Sequence, residues 1–289
     1  MKTIGFATYS EEPQLTKDDL LVVAALHPLS INVVPVVWDD PSVDLRQIEA
    51  VVIRSCWDYH LKPDRFLQWV DTLDQASIPV FNSNAIVRWN FDKHYLQELA
   101  AQGVAIPRTI WIEPGAQADL ATILREHDLA EAVIKPTISL SAYQTWRISA
   151  DEARAHQDAF AQLVAERGMM IQEFIPEVTT SGELSLMFFG KVYSHAVYKR
   201  PRQGDFRVQT DFGGTREIAA PPQSVIAQAQ AIVDSIAEPL QFARVDGIEV
   251  EGRLVLMELE LIDPLLFFSY DPAAAQRFAE VIAQTLEKW

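Results

Sequence analysis

Four short apolar runs, TIGFATY, INVVPVVW, IEAVVIR and SIPVFN, constrain the first third of the chain. Between the first two lies LTKDDLLVVAALHPL, where Leu15, Leu20, Val23 and Ala24 recur at helical spacing. Between the last two lies PDRFLQWVDTLDQAS, with Pro63 suited to a first helical turn. Strands that alternate with helices predict a mainly parallel sheet covered on both faces. Ligands of such sheets bind past the carboxyl ends of the strands. That rule points to RSCWDYH, which follows the strand AVVI. There Arg54 is placed to clamp a carboxylate, and Trp57, Asp58 and Tyr59 to wall a small substrate. The alternative is a packed loop in which Arg54 and Asp58 pair. Cys56 has no adjacent base and reads as a buried structural thiol.

The chain has 289 residues, 49% of them hydrophobic, enough for two or three lobes. Its single cysteine excludes an intramolecular disulfide. The N-terminus MKTIGFATYSEEPQ is unlike a secretory signal, and no apolar stretch approaches a membrane span, so the predicted location is cytoplasmic. A net charge of −16 argues against nucleic acid as a partner. An anionic ligand then needs a local basic pocket, which singles out the lysines and arginines set in apolar stretches.

Further along, Asn90 or Asp92 is predicted to cap a helix with Leu96, Leu99 and Ala100 on its apolar face, stopped by Gly103. Lys93 falls in its first turn, where a cation opposes the helix dipole, so it is either a ligand-binding lysine or a solvated one. A second unit starts near Ile106-Pro107. RTIWI and AVIKP read as strands around a helix at ADLATILREHD, and Lys135 ends the apolar run AVI. The segment TISLSAYQTWRI leads to a helix, DEARAHQDAFAQLVAERG, and a strand, GMMIQEFI. SGELSLMFFGKVYSHAVYKRP predicts an antiparallel hairpin around Gly190, with Glu183 and Lys199 at its far ends. A polar loop, RQGDFRVQTDFGGTRE, and a helix, PPQSVIAQAQAIVDSIAEPL, precede the strand pair RVDGIEVEGRLVLMELELIDP; a final helix is predicted over 272–289.

That strand pair carries Asp246, Glu258 and Glu260. In LVLMELEL side chains alternate, so Glu258 and Glu260 share a face, with Leu254 and Leu256 as expected face-mates. Three neighbouring carboxylates repel and stay ionised at low cost only around a cation. The other reading is an exposed acidic rim.

The joint order of these parts, from about Asn82 to Pro264, resembles the ATP-grasp superfamily, in the branch of glutathione synthetase and the ligases that add glutamate to ribosomal proteins. The resemblance implies an α/β chain with an α+β C-terminal part. Its parts would be an N-terminal parallel-sheet domain (1–84), a linking helical region (85–106), and central (107–176) and C-terminal (177–289) subdomains clasping ATP. Lys93 and Lys135 look like the phosphate-holding lysines. Gln172, Glu173, Phe174 and Ile175 look like the adenine hinge, with Glu177 or Glu183 near the ribose and Lys199 in the same nucleotide site. GDFRVQTDFGG is similar to the family's Gly-acid-Phe-Arg-x-Asn segment, so Arg207 would face the transferred phosphate, with Gln209 where Asn is usual. Asp246, Glu258 and Glu260 look like ligands of one or two magnesium ions, for which manganese could substitute, with Glu260 where Asn is usual. Arg207 or Arg244 would stabilise the oxyanion. The phosphate-covering loop, usually Gly-rich, is TISLSAYQ here, so Ser139 and Ser141 would donate hydroxyls instead.

The implied activity is an ATP-dependent carbon–nitrogen ligase that releases ADP and phosphate. RSCWDYH, KPTISLSAYQT and MELELIDPLLF also look like a subgroup that includes the cyclo-ligase of D-cycloserine biosynthesis, which closes an O-ureido-serine. The expected partners are a small amino-acid-like carboxylate and an amine, joined within or between molecules, with no membrane. A homodimer is left open. An inactive or regulatory ATP-binding protein, favoured by the glycine-free loop, and a small-molecule kinase are the alternatives.

Overall fold

The computed structural model describes residues 2–288; Met1 and Trp289, the last residue of the predicted final helix, lie outside them. The four N-terminal runs form β1 (Lys2–Thr8), β2 (Ile31–Val37), β3 (Ala50–Ser55) and a short β4 (Val80–Phe81). They lie parallel in the order β2-β1-β3-β4. Alternate residues feed opposite faces, as strand geometry requires. Ile4, Phe6 and Val52 pack with α1 (Lys17–Leu26), whereas Ala7, Val51 and Ile53 pack with α2 (Pro63–Gln75).

The face of α1 differs from the predicted one. Its buried residues are Asp19, Val22 and Leu26, while Leu20 and Leu21 are exposed. The cause is Asp19. Its carboxylate turns inward to Arg54, which rotates the apolar stripe away from Leu20.

Next, α3 (Asn84–Asn90) is capped by Ser83, and α4 (Tyr95–Ala101) follows after a break. The single predicted helix is therefore two, and Lys93 sits in the joint rather than in a first turn. Asn90 is no cap: its side chain bridges Leu259 and Leu261 through two backbone hydrogen bonds. A second sheet, antiparallel, has the order β5 (Thr109–Ile112), β8 (Met169–Glu173), β6 (Glu131–Pro136), β7 (Trp146–Ser149). α5 (Leu120–Glu126) and α6 (Ala153–Glu166) cover one face of it.

The third sheet is antiparallel in the order β11 (Thr215–Ala219), β10 (Val192–Arg200), β9 (Glu183–Phe189), β12 (Phe242–Val250), β13 (Arg253–Glu260). β9 and β10 are the predicted hairpin, turning at Gly190. β11 falls where a loop is predicted; it is an edge strand with exposed Ile218, so its sequence lacks a buried face to announce it. α4 and α7 (Gln223–Ser235) back this sheet. α8 (Ala274–Leu286) returns to the N-terminal sheet, where Phe278 and Ile282 share a core with Ile4 of β1 and Met187 of β9. An α/β N-terminal part joined to two α+β sheets is the fold class the sequence predicts. Among the described residues no helix is long and apolar enough to cross a membrane.

Candidate active site

The second and third sheets face each other across a cavity of about 390 Å³. One end is apolar. Val133 of β6, Phe174 and Ile175 after β8, Val178, Ile248 of β12 and Met257 of β13 pack together and line it. Gln172 and Glu173 also reach this wall. The Glu173 carboxylate itself is held by Arg108 at 3.0 Å. Glu177 is not among the lining residues; it lies in a turn where its carbonyl accepts from Thr180, Ser181 and Gly182.

Two lysines enter from the second sheet's side. Lys93 is buried, donates to the Ser139 carbonyl at 2.6 Å and pairs with Glu258 at 3.1 Å. Lys135, on β6, is half-buried and lines the cavity, but among the described residues no carboxylate comes within 4.0 Å of it. Burial holds its ammonium pKa below the usual lysine value, with Glu258 and Glu183 opposing that shift.

The glycine-free loop after Lys135 adopts left-handed backbone at Ser141 (φ 50°), Ala142 (φ 56°) and Gln144 (φ 48°). It thus takes a glycine-type path with side chains attached. Ser141 lines the cavity, while the Ser139 hydroxyl donates to the Pro136 carbonyl. Left-handed backbone costs an L-residue roughly 1–2 kcal/mol, more than the unfolded-chain entropy glycine adds. Ala142→Gly is therefore expected to raise stability by about 0.5–1 kcal/mol in urea unfolding. A lower midpoint in the variant would contradict a strained loop.

The acidic wall depends on a bulge. Asp246 pairs with Glu258 and Gly247 with Leu256, so Met257 is the extra residue and side-chain alternation flips there. Leu254 and Leu256 before it, and Leu259 and Leu261 after it, all join the core under α7. Met257, Glu258 and Glu260 line the cavity instead. Glu258 and Glu260 thus share a face as predicted, but not with Leu254 and Leu256. Gly247 permits this fold-back, since a Cβ there would meet Leu254 at 2.6 Å and the Val255 carbonyl at 2.9 Å.

Asp246 lies deeper. It accepts from Arg244, Lys199 and Ser185, and the two cations hold its carboxyl below the usual range despite burial. Lys199 also pairs with Glu183, and Arg244 with Glu260 and the Leu265 carbonyl. Among the described residues no three Asp, Glu, His or Cys side chains converge as a metal cage. Of the three expected metal ligands, Asp246 is turned into its own cations. The outer pair, Glu258 and Glu260, still fits magnesium. That ion keeps several waters and phosphate oxygens and takes only one or two carboxylates. Burial, with Glu258 and Asp246 nearby, pushes Glu260 up to about 8 against the pull of Arg244.

Arg207 and Gln209 line the same cavity as these acids. Asp205 holds Arg207 at 2.8 Å, and the guanidinium lies 3.7 Å from the Phe212 ring centre. Gly214 closes the turn, because a Cβ there would lie 2.2 Å from the Val208 carbonyl.

The predicted substrate loop is mostly structural. Arg54 is buried, pairs with Asp19 at 2.8 Å and donates to the Pro264 carbonyl. Asp58 accepts from Trp38 and Lys62, not from Arg54. Tyr59 stacks on Phe66 in the core. Only Trp57 of the four lines the cavity, donating to the Asp263 carbonyl at 3.0 Å. Cys56 is buried, and burial raises its thiol pKa. The sequence did not single out Val133, Val178, Ile248 and Met257, which read as ordinary strand apolars. Nor did it single out Asp263 and Arg216, whose exposure to the cavity depends on the loop after β13 and on the unexpected β11.

Residues 4–82 match the family of the D-cycloserine synthetase DcsG N-terminal domain, and residues 105–264 that of the prokaryotic glutathione synthetase ATP-grasp domain. The cycloserine biosynthesis protein DcsG of Streptomyces lavendulae is 31% identical over 264 residues, 86% of this chain and 87% of that one. The crystal structure of D-cycloserine synthetase DcsG superposes with a TM-score of 0.87 at 27% identity, covering 98% and 99% of the two chains. D-alanine–D-alanine ligase from Bacillus anthracis shares the fold, with a TM-score of 0.71 at 14% identity over 100% and 99%. With its ATP-grasp domain of the glutathione synthetase type spanning more than half its length, the chain belongs to the ATP-grasp family of ATP-dependent ligases.

Proposed function

We propose that the protein activates a small amino-acid-like carboxylate with MgATP as an acyl phosphate, which a nitrogen of the same molecule then attacks. The observation that carries this reading is Lys135: a desolvated cation without a carboxylate partner, in the same cavity as Glu258 and Glu260. A phosphate chain answers that arrangement, with lysines on one side and magnesium-binding acids on the other. Adenine suits the apolar end formed by Phe174, Ile175, Ile248 and Met257. Glu258 and Glu260 would hold magnesium, which when bound neutralises phosphate charge. Arg207, in the same cavity as the acids and paired with Asp205, would face the phosphate in transfer. Arg244 is committed to Asp246 and Glu260, so it acts through the acids it holds.

In the reaction a substrate carboxylate oxygen takes the terminal phosphoryl group and ADP leaves. The nitrogen then adds to the carbonyl carbon, phosphate departs and the nitrogen loses a proton. The intramolecular form is supported by the similarity to DcsG over both the N-terminal and ATP-grasp parts. Incubation with MgATP, O-ureido-D-serine and other small amino acids tests it. The expected products are ADP, phosphate and a cyclised product; AMP and pyrophosphate would remove the acyl-phosphate route.

Lys135→Met is expected to weaken ATP binding by about 1.5–3 kcal/mol, roughly 10- to 150-fold. The same change is expected to raise the thermal midpoint, because the lowered lysine pKa means that the charged form is disfavoured in the fold at neutral pH. Nucleotide titration and thermal unfolding read the two effects. Wild-type ATP affinity in the variant would exclude Lys135 from phosphate binding.

A further inference from the structure

We propose that Asp263 and Arg216 form the subsite that holds the ammonium and the carboxylate of an α-amino acid substrate. This rests on the ligase reading above and names its substrate class. Asp263 is 4% exposed, lines the cavity, and has a buried Oδ2 with no hydrogen-bond partner among the described residues. A buried acceptor left unmatched costs about 1–3 kcal/mol, more when charged, so its retention calls for an explanation. Arg54 is near enough to act on it electrostatically, but no ion pair within 4.0 Å joins them. Arg54 is held by Asp19 through Nε and by the Pro264 carbonyl through Nη2, while its buried Nη1 also has no hydrogen-bond partner. Trp57 donates to the Asp263 backbone carbonyl, which fixes the residue without using its carboxylate. Burial raises that carboxyl to about 7, and an ammonium would stabilise its ionised form.

Arg216 is the complementary case. It extends from β11 into the same cavity, and its buried Nε has no partner. Its Nη2 reaches only the Thr210 hydroxyl, at 3.4 Å. Among the described residues no carboxylate pairs with it, whereas Arg207 and Arg244 in the same cavity each have one. The Phe267 ring centre lies 5.1 Å from the Arg216 guanidinium and 5.6 Å from that of Arg244. Phe267 and Asp263 belong to one loop, pinned by His195, whose Nε2 contacts the Leu266 and Phe267 carbonyls. Two groups of opposite charge, each with a buried polar atom left unpartnered (Asp263 Oδ2 and Arg216 Nε), on supports this fixed, suit a ligand that carries both complements. A simple carboxylic acid would leave Asp263 unmatched, and a simple amine would leave Arg216 unmatched.

The test is ADP release from MgATP with O-ureido-D-serine and D-serine, against the same acids lacking the α-amine. The wild-type protein is expected to prefer the amine-bearing acids by roughly 10- to 100-fold in kcat/KM. Asp263→Asn should remove that preference by raising KM for the amino acids, with KM for ATP unchanged. Arg216→Gln should raise KM for both sets of acids, again sparing ATP. Asp263→Ser repeats the test if the asparagine variant does not fold. An amine preference that survives in Asp263→Asn overturns the assignment. So does a fall in stability with unchanged KM, which would make Asp263 a structural neighbour of Arg54. Equal use of the deaminated acids by the wild-type protein overturns it while leaving the ligase reading intact. No ADP release with any acid overturns the ligase reading, and this assignment with it.

Discussion

Arg54→Ala is expected to destabilise the protein by about 3–5 kcal/mol. Arg54 and Asp19 are each about 1% exposed and meet at 2.8 Å. Removing the arginine leaves a buried carboxylate whose remaining side-chain partner is the Thr16 hydroxyl. It also empties a site ringed by Phe242, Phe268 and Phe278, each 5.7 Å from the guanidinium. These aromatics come from the third sheet and the chain after it, so the loss reaches beyond the N-terminal sheet. Asp19→Asn is expected to cost less, since the amide keeps a hydrogen bond. The double change Arg54→Met with Asp19→Leu should cost less than Arg54→Ala alone, because apolar replacement leaves no orphaned charge. Urea unfolding measures all three. An unchanged midpoint in Arg54→Ala, combined with a raised substrate KM, would return Arg54 to the substrate clamp that its strand-end position suggests.

Arg54 also shows where sequence stops informing the site. Its position past a parallel strand is correctly read, but position alone does not say which way the side chain turns. That depended on Asp19, which looks like a solvated residue of a helix start and is instead the buried face of α1. The alternating strands and helices of 2–81 were legible because each short apolar run contributes residues to the cores on both faces. Glu258 and Glu260 were legible as a pair because a period of 2 survives locally. Their face-mates were not, since one extra residue at Met257 reverses the alternation and nothing in LVLMELEL marks it. Asp246 was read as a magnesium ligand; its pairing with Arg244, two residues away on the same strand, was open to the sequence, but Lys199 comes from β10, which only the folded sheet brings near. The unpartnered polar atoms of Asp263 and Arg216 are illegible for the same reason: lacking a partner is a property of the packed cavity, not of a motif.

Glu258→Gln is expected to lower turnover by roughly 100- to 1,000-fold, the scale of deleting one preorganised charge-stabilising group. Glu258 faces the cavity with its side chain 26% exposed, and glutamine preserves both its shape and a neutral acceptor for Lys93. The fold should not suffer. Glu183, Asp246, Glu258 and Glu260 are four carboxylates paired among three cations, Lys93, Lys199 and Arg244, with Lys135 in the same cavity acting on Glu258 and Glu183 from farther away. Burial, with Glu258 and Asp246 nearby, pushes the Glu260 carboxyl up to about 8 from an ordinary 4.5. An acid with a raised folded pKa costs stability once it must ionise, so stability should fall as pH rises from about 4.5 towards about 8. Glu260→Gln should remove that slope, leaving a variant more stable than wild type at pH 8 and equal to it near pH 4. Added magnesium should then raise the wild-type midpoint at pH 8 and do so much less in Glu260→Gln, because the ion offsets a repulsion the variant no longer has. Thermal unfolding across pH, with and without magnesium, separates these outcomes from the kinetic one. Undiminished ADP release by Glu258→Gln at saturating ATP would exclude Glu258 from the chemistry. A magnesium shift of equal size in Glu260→Gln would exclude Glu260 from the metal site.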